Sequence, residues 1–568
     1  MVIVRRFVLA AILLAVVLLV SVSLPPAKLT LGRRFSDQTV RGILHVHTVR
    51  SDGSGTPDEV AAAAARAGVA FVIFTDHGDA TRPPDPPLYR SGVLCIDAVE
   101  ISTSGGHYIA LDMPAAPYPL AGEPRDVVED IRRLGGFGVA AHPNSPKADL
   151  AWTDWTAPFD ALEWLNLDTS WRVKMRAAGW RSRWRLIEAV AAYPFRPAEV
   201  IARLTTGTGL DSARWSSLSR ARKVVMLAGA DAHARLGFGS ADKGVSLSLP
   251  GYTSSFFAMS LHVAPERGLT GDAALDAAAI VAAIRRGRAY TVVDGLAGPS
   301  AFRFTATNAR GGSSYGDTLE AGGPVTLSVT SNAPPSFTTV LLQDERPLAS
   351  VPGNVELTKS VSDSPAVYRV EIYAPVRGGA TAWLVSNPIY AGLTFPPAAP
   401  PQEARPVAAS QPFFDGRSTE GWRIEADPAS RGTLDVLSGA RGQELTLRYW
   451  LAGRPAVSPY VAFVGGPVTA SGMVDQVSFT ASADRPGRVS VVVRSRQGEQ
   501  FARSAYLDQM PSEHVIPLDE MTPVGETRSP RPVAANIADV LFVIETTHTR
   551  PGSVGSLRIA GAALQVRE

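Results

Sequence analysis

Between Gly42 and about Tyr290 the chain alternates short apolar runs with stretches of helical periodicity. The strand candidates are Gly42–Val46, Val69–Phe74, Leu94–Ile101, Tyr108–Leu111, Gly138–Ala141, Ala161–Leu165 and Val224–Ala228, each rich in Val, Ile, Leu or aromatics. Between the first two, Thr56-Pro57-Asp58-Glu59 precedes an Ala-rich run. Thr56 can cap a helix there, Pro57 suits its first position and Glu59 completes a capping box. A second helix is predicted from Pro124 to Leu134, stopped by Gly135-Gly136. Such alternation argues for a parallel α/β sheet or barrel, whose strand carboxyl ends are the usual seat of chemistry.

Beyond Gly298 the helical period gives way to short strands, including Ala301–Ala306, Val325–Thr330, Thr338–Leu342, Val367–Tyr373 and Ala382–Val385. Their spacing predicts an immunoglobulin-like β-sandwich over 298–395. Phe395–Pro412 holds six prolines in 18 residues, the composition of a stiff linker, assigned to 396–412. Residues 413–568 are strand-rich again (Glu444–Tyr449, Met473–Thr480, Arg488–Arg494, Ala538–Glu545) and read as a second, larger sandwich.

The opening of the chain has a different pattern. Arg5 and Arg6 precede the apolar run Phe7–Val20, followed by Ser21-Val22-Ser23-Leu24-Pro25-Pro26. A basic start, an apolar core and a small-residue exit read as a secretory signal, while about 18 apolar residues are also just enough to span a bilayer. Residues 1–24 are therefore expected to export the chain to the periplasm or exterior, as a cleaved signal peptide or a retained membrane anchor.

Composition narrows the classes. A length of 568 residues predicts three or four domains, and 45% hydrophobic with 19% charged residues excludes a mostly disordered or polytopic membrane protein. The net charge of +2 does not mark a nucleic-acid binder. The lone Cys95 excludes an intramolecular disulfide framework and a Cys-based zinc cluster. Any metal must be held by His and carboxylates.

The histidines supply them. His45-Val46-His47-Thr48 closes the first strand, and residues i and i+2 of a strand face one side. Asp52 follows in Ser51-Asp52-Gly53, and the second strand ends in Thr75-Asp76-His77. Glu100 ends the third, His107 follows Gly105-Gly106, His142 precedes Pro143, and Asp231-Ala232-His233 follows the seventh. A single strand-end histidine is ordinarily a satisfied surface or core residue, but six at the same edge of one sheet would be six coincidences. Nine N and O donors suffice for two or three divalent ions sharing a carboxylate, an arrangement suited to hydrolysis of phosphate esters.

The order His-x-His-Thr, Ser-Asp-Gly, Thr-Asp-His, Glu, Gly-His, His-Pro, Asp-Ala-His resembles the polymerase-and-histidinol-phosphatase (PHP) family over residues 40–295, about half the chain. The resemblance implies a distorted seven-stranded (β/α) barrel over 40–297. It also implies a trinuclear site of manganese, zinc or iron. His45, His47, Glu100 and Asp231 would hold the first ion, and Asp52, His77 and His233 the second. Bridging Glu100, with His107 and His142, would hold the third; if His107 does not coordinate, the site is dinuclear. A metal-bridged hydroxide would attack phosphorus, with Asp231 and His233 at the catalytic centre and Arg235, directly after them, clamping phosphate. Asp76, Asp79 or a metal-bound water are the candidate general acids, and Asp76 could equally orient His77 or cap a turn.

Asn166–Arg222 is longer than an ordinary βα connection and reads as a lid or substrate-shaping insertion. Trp180, Trp184 and Ile187 recur on one helix face, with Arg181, Arg183 and Arg185 between them. Three readings stand open: a helix packed on the barrel with Arg in water, an Arg clamp for phosphate, or a basic Trp-bearing helix at a membrane surface. Residues 171–222 carry 11 Arg and Lys against three Asp and Glu, so the near-neutral total hides a locally basic segment.

Phe413-Phe414-Asp415-Gly416 and Gly421-Trp422 are similar to the opening of jelly-roll, galactose-binding-like modules, which implies a glycan partner; a spacer role is equally open. The leading expectation is thus an exported metal-dependent phosphoesterase acting on a phosphorylated small molecule, nucleotide or oligonucleotide. The alternatives are an amide or ester hydrolase on the same site, or a non-catalytic glycan-binding or adhesion protein.

Overall fold

The computed structural model describes residues 23–567 apart from 33–34, 206–211, 239–244, 248, 354–355, 377–378, 396–406, 415, 417, 440–441, 454–457 and 469–472; of the first 22 residues it describes 5, 6, 17, 20 and 21. The N-terminal apolar run and residues 396–406 of the predicted linker lie outside the described residues, apart from Val17 and Val20 of the run. The rest of that linker, 407–412, is not a linker but part of the β-strand Val407–Phe414. Two compact units form, one from residues 1–114 with 123–396, the other from 115–122 with 397–568.

In the first unit the elements around the histidine motifs are β1 (Val40–Val46), α1 (Pro57–Arg66), β2 (Phe71–Phe74), β3 (Leu88–Arg90), β4 (Val93–Asp97), β5 (Val99–Thr103) and β6 (Gly106–Leu111). Then come α2 (Pro124–Arg133), β7 (Phe137–Ala140), β8 (Ala161–Asn166), α3 (Leu167–Arg176), α4 (Trp180–Ala192), α5 (Pro197–Leu204) and α6 (Ser212–Ala221). The series ends with β9 (Val225–Gly229), α7 (Tyr252–Ala258), β10 (Ser260–Val263), α8 (Ala273–Arg286) and β11 (Ala289–Val292). The capping box of α1 is made as its sequence predicts: Thr56 accepts the Glu59 amide, and the Glu59 carboxylate accepts the Thr56 amide.

The expected seven-stranded (β/α) barrel does not form. Strand residues (43%) far outnumber helical ones (19%), and the strands divide between separate sheets. One has five strands in the order β9-β8-β7-β6-β5, antiparallel at β5–β6 and β6–β7. The other runs β3-β4-β2-β1-β10-β11 and continues from β11 into Gly379–Ser386 and further strands, twelve in all. The physical reason lies in the apolar run Leu94–Ile101, read as one strand. It breaks at Ala98, so that β4 pairs with β2 while β5 pairs with β6. The two sheets share one core: Phe71, Ile73, Leu94 and Ile96 meet Ile109, Val139 and Leu227, closed by Ile280 and Ile284 of α8.

Residues 302–391 add a four-stranded sheet ordered Gly311–Ser314, Phe302–Asn308, Val325–Ser331, Glu356–Val361, packed through Phe302, Phe304 and Leu327 against Ile372 and Trp383 of the large sheet. The second unit is a β-sandwich of two six-stranded antiparallel sheets enclosing Trp422, Phe463, Phe479 and Phe542.

The connection from β8 to β9 folds as α3–α6 among its described residues. Trp215 is fully buried, but Trp180 (73%), Trp184 (46%) and Ile187 (48%) are exposed. A helix packed through these three residues is therefore not what α4 is; its buried residues are Glu188 and Ala192.

Candidate metal centre

Local backbone bonding draws the ends of the two sheets together. The His47 amide donates to the Ala232 carbonyl (3.1 Å), Thr75 N to Val46 O (2.9 Å), Gly78 N to Glu100 O (3.1 Å) and Ala141 N to His107 O (3.1 Å). These bonds bring all nine donors read from the sequence into one cluster, although the strands carrying them belong to different sheets. His45, Asp231 and His142 adopt positive φ angles (67°, 46° and 29°), conformations costing roughly 1–3 kcal/mol each for a residue with a Cβ. Strain at three donors in one cluster means that the surrounding packing overrides backbone preference to aim them.

Glu100 is the hub. Its Oε2 lies 3.3 Å from His45 Nε2, 3.2 Å from His47 Nε2 and 3.4 Å from His77 Nδ1. Its Oε1 lies 3.0 Å from His107 Nδ1 and 2.9 Å from His142 Nε2. Asp231 Oδ1 is 3.4 Å from both His45 and His47 Nε2. Asp52 serves the outer side, with Oδ2 3.2 Å from His233 Nε2 and 3.8 Å from His77 Nε2. Four donor groups have atoms mutually within 4.8 Å: His47-Asp52-His77-His233, His45-His47-Asp231, His45-Glu100-His142 and His77-Glu100-His107.

Their electrostatics follow from this crowding. Burial alone would make His45 less basic, yet Glu163, Asp231 and Glu100 hold it well above the ordinary imidazole value. Burial likewise opposes His47 and His142, but Asp231 with Glu100, and Glu100 respectively, raise each to about 9. Burial works against ionising Glu100 and Asp231, but the histidines, His45 foremost, hold both well below the usual carboxylate range. These are two sides of one attraction: a buried anionic hub that demands positive charge, supplied by protons when no ion is bound. His77 is shifted the other way, its proton affinity lowered by burial.

The residues fit divalent ions. The donors are imidazoles and carboxylates in groups of three and four, and His77 Nδ1 is buried without a hydrogen bond. Orientation is set by partners behind the ring nitrogens. His45 Nδ1 sits 2.7 Å from Glu163 Oε1, His142 Nδ1 sits 3.0 Å from the Leu150 carbonyl, and both present Nε2 to Glu100.

Sequence reading did not find Glu163. It sits inside the apolar strand β8, accepts the His142 amide (2.8 Å) and the Asn166 side-chain amide (2.9 Å), and is almost fully buried. The available signal was a charged residue in the middle of an otherwise apolar strand. Gly229 makes room for it, since a Cβ there would overlap the Glu163 carboxylate. Asp168, in the first turn of α3, was also missed. Burial and the charge of Asp231 raise its proton affinity, opposed by its ion pair with Arg172.

Other assignments fall elsewhere. Asp76 accepts the Thr48 amide (2.7 Å), the Thr48 hydroxyl (2.8 Å) and the Ser51 hydroxyl (2.7 Å), so it holds the loop between His47 and Asp52. Asp79 accepts from Thr81 in a local turn. Arg235 is exposed, and among the described residues no ion pair joins it to the cluster. A cleft of 810 Å³ opens beside His77, with Arg50 and Arg82 on its polar wall and Met113 and Val281 on its apolar one.

No protein-family model matches the chain, and no curated protein matches it. Among solved structures, similarity is found to a family 11 carbohydrate-binding module of the cellulase Lic26A-Cel5E of Clostridium thermocellum, at 14% identity and TM-score 0.24, covering 28% of this chain and 95% of that one. An exo-β-agarase matches at 11% identity and TM-score 0.21, covering 28% of this chain and 25% of that chain. Likenesses this low carry no argument about what this chain does.

Proposed function

We propose that the chain is an exported, metal-dependent hydrolase of phosphate esters. The observation that carries this reading is the convergence of nine His and carboxylate donors on the buried Glu100. The order of those donors, which resembles the PHP family, supports it. His45, His47, Glu100 and Asp231 would hold one ion, Asp52, His77 and His233 a second, and Glu100 with His107 and His142 a third. Ions so held supply water of lowered pKa and positive charge for phosphoryl oxygens. The chain's own residues prepare the ground for that chemistry. Glu163 and the Leu150 carbonyl fix the rotation of His45 and His142, and Asp76 holds the loop that carries Asp52. The cleft beside His77 is large enough for the organic part of a nucleotide or sugar phosphate.

The purified full chain, loaded with manganese or zinc, is expected to hydrolyse p-nitrophenyl phosphate or its bis-ester, and to lose this in Asp231→Ala and His142→Ala. Turnover of an amide or carboxylic ester panel without phosphoester turnover would assign the site to the alternative hydrolase. Native stability without metal and no turnover on any of them would sink both enzyme readings.

A second reading concerns residues 397–568: binding of a glycan. The cues Phe414 and Trp422 are buried in that unit's core, but Trp450 (40%) and Tyr460 (38%) are exposed. Both flank the turn 427–430: Asp427 accepts the Tyr460 amide, and Trp450 stands opposite Arg431 in the strand pair that follows the turn. Exposed aromatics beside polar groups suit a sugar face. Retardation of the full chain in gels containing mixed-linked β-glucan or agarose, relieved in Trp450→Ala, is the expected outcome; equal mobility with and without glycan would remove this reading.

A further inference from the structure

We infer that α3 and α4 form a surface that lies on an anionic lipid bilayer. Residues 169–187 contain six basic residues, Arg172, Lys174, Arg176, Arg181, Arg183 and Arg185, and no Asp or Glu. The next acidic residue, Glu188, is buried and pairs with Arg203 (3.3 Å). Interleaved with this charge are apolar side chains that the fold leaves in water: Met175 (57%), Trp180 (73%), Trp184 (46%), Ile187 (48%), Val190 (75%) and Phe195 (61%). A basic segment that also exposes Trp, Ile and Val matches the chemistry of the headgroup boundary, where the rings and aliphatic groups enter the acyl region and the guanidinium groups meet phosphates.

A second observation brings the N-terminal segment to the same group of helices. Ser23, at the exit of the apolar N-terminal run, lines a 330 Å³ cavity with Val173, Lys174, Arg185, Leu186 and Val200. Arg196 donates to the Pro25 carbonyl, Arg203 to the Ser23 carbonyl (3.5 Å), and the Lys28 amide to Glu199 (3.4 Å). Residues 23–28, which follow the N-terminal run, are therefore bonded to α5 and its N-terminal flank, and Ser23 shares a cavity with α3 and α4. Among the described residues no helix is long and apolar enough to cross a membrane. The competing role of phosphate clamp fits Arg172, which pairs with Asp168 beside the metal cluster, but not the exposed arginines of α4. This surface is independent of the phosphoesterase reading, because lipid contact is measured without turnover.

The test is hydrogen exchange of the full chain in vesicles, comparing pure phosphatidylcholine with phosphatidylcholine containing about 30% phosphatidylglycerol. Both vesicles accommodate the N-terminal run, so the difference isolates the helix surface. Amides of residues 180–192 are expected to exchange severalfold more slowly on the anionic vesicles. Arg181→Glu/Arg185→Glu is expected to abolish that difference, and Trp180→Ser/Trp184→Ser to reduce it, with unchanged melting temperatures because all four side chains are exposed. Equal exchange on both vesicles overturns the inference whatever the variants do. Protection by inorganic phosphate on neutral vesicles would make the segment a substrate clamp. Protection that grows with protein concentration on neutral vesicles would make it a contact between copies.

Discussion

His142 in the first unit is buried and His514 in the second is half-buried, and their proton affinities are shifted in opposite directions. His514 stacks on Phe479 (ring centroids 5.0 Å apart), and burial pulls its proton affinity down to about 4. His142 meets the same penalty, but Glu100 lies 2.9 Å from its Nε2 and lifts it to about 9. What separates the two histidines is the buried carboxylate beside His142, and in this protein one glutamate serves five imidazoles.

That contrast can be broken most severely at its hub. Glu100→Gln keeps the shape and removes the charge, so metal content by elemental analysis should fall to near zero and phosphoester turnover by roughly a thousandfold. Full metal retention would mean that Glu100 is not the shared ligand. Glu163→Gln should act more mildly, through the orientation of His45. A loss of about 10–100-fold in metal affinity, with the fold intact by circular dichroism, is the range for a partner behind a ligand. Unchanged affinity would reduce Glu163 to a packing residue.

The pH profile sharpens the comparison further. His47 and His142 titrate near 9 when folded without metal and near 6.5 when unfolded. Their favourable protonation therefore stabilises the metal-free fold fully below about pH 6.5, and that contribution is lost as pH rises through about 9. Thermal melting with chelator should show a midpoint falling across this window. The metal-loaded protein, whose ligands carry no such protons, should lack this fall. A flat profile for the metal-free protein would contradict the hub. The smallest effect belongs to the other region: His514→Phe should change stability by less than about 1 kcal/mol and leave metal content untouched. A large loss there would give His514 a role its surroundings do not suggest.

The cluster was legible in the chain because histidines and carboxylates at strand ends leave a pattern that survives without coordinates. His45 and His47 are two apart on one strand, and Asp231 and His233 repeat that spacing after another. Glu163 left one signal, a charge inside an apolar strand, but its partner was not legible, since such a glutamate looks the same whether it faces a histidine or a water. The barrel expectation failed at one residue: nothing in Leu94–Ile101 marks Ala98 as a break, because the pairing of β4 and β5 with different partners is decided by strands distant in sequence. The α4 periodicity identified a helix but not its covered side. Trp180, Trp184 and Ile187 at i, i+4 and i+7 signal a shared face, and only tertiary packing decides whether that face meets core or water.

By itself, then, the order of residues determined which His and carboxylate side chains gather at the strand ends, the absence of an intramolecular disulfide framework, the capping of α1 and the two strand-rich regions, because spacing and local hydrogen bonding are properties of short segments. The three-dimensional arrangement decided which sheet each strand joined, that Glu163 stands behind His45, and that Trp180 and Trp184 remain in water. Each of those depends on contacts between segments tens to hundreds of residues apart, and such contacts are selected by the packing of the whole core.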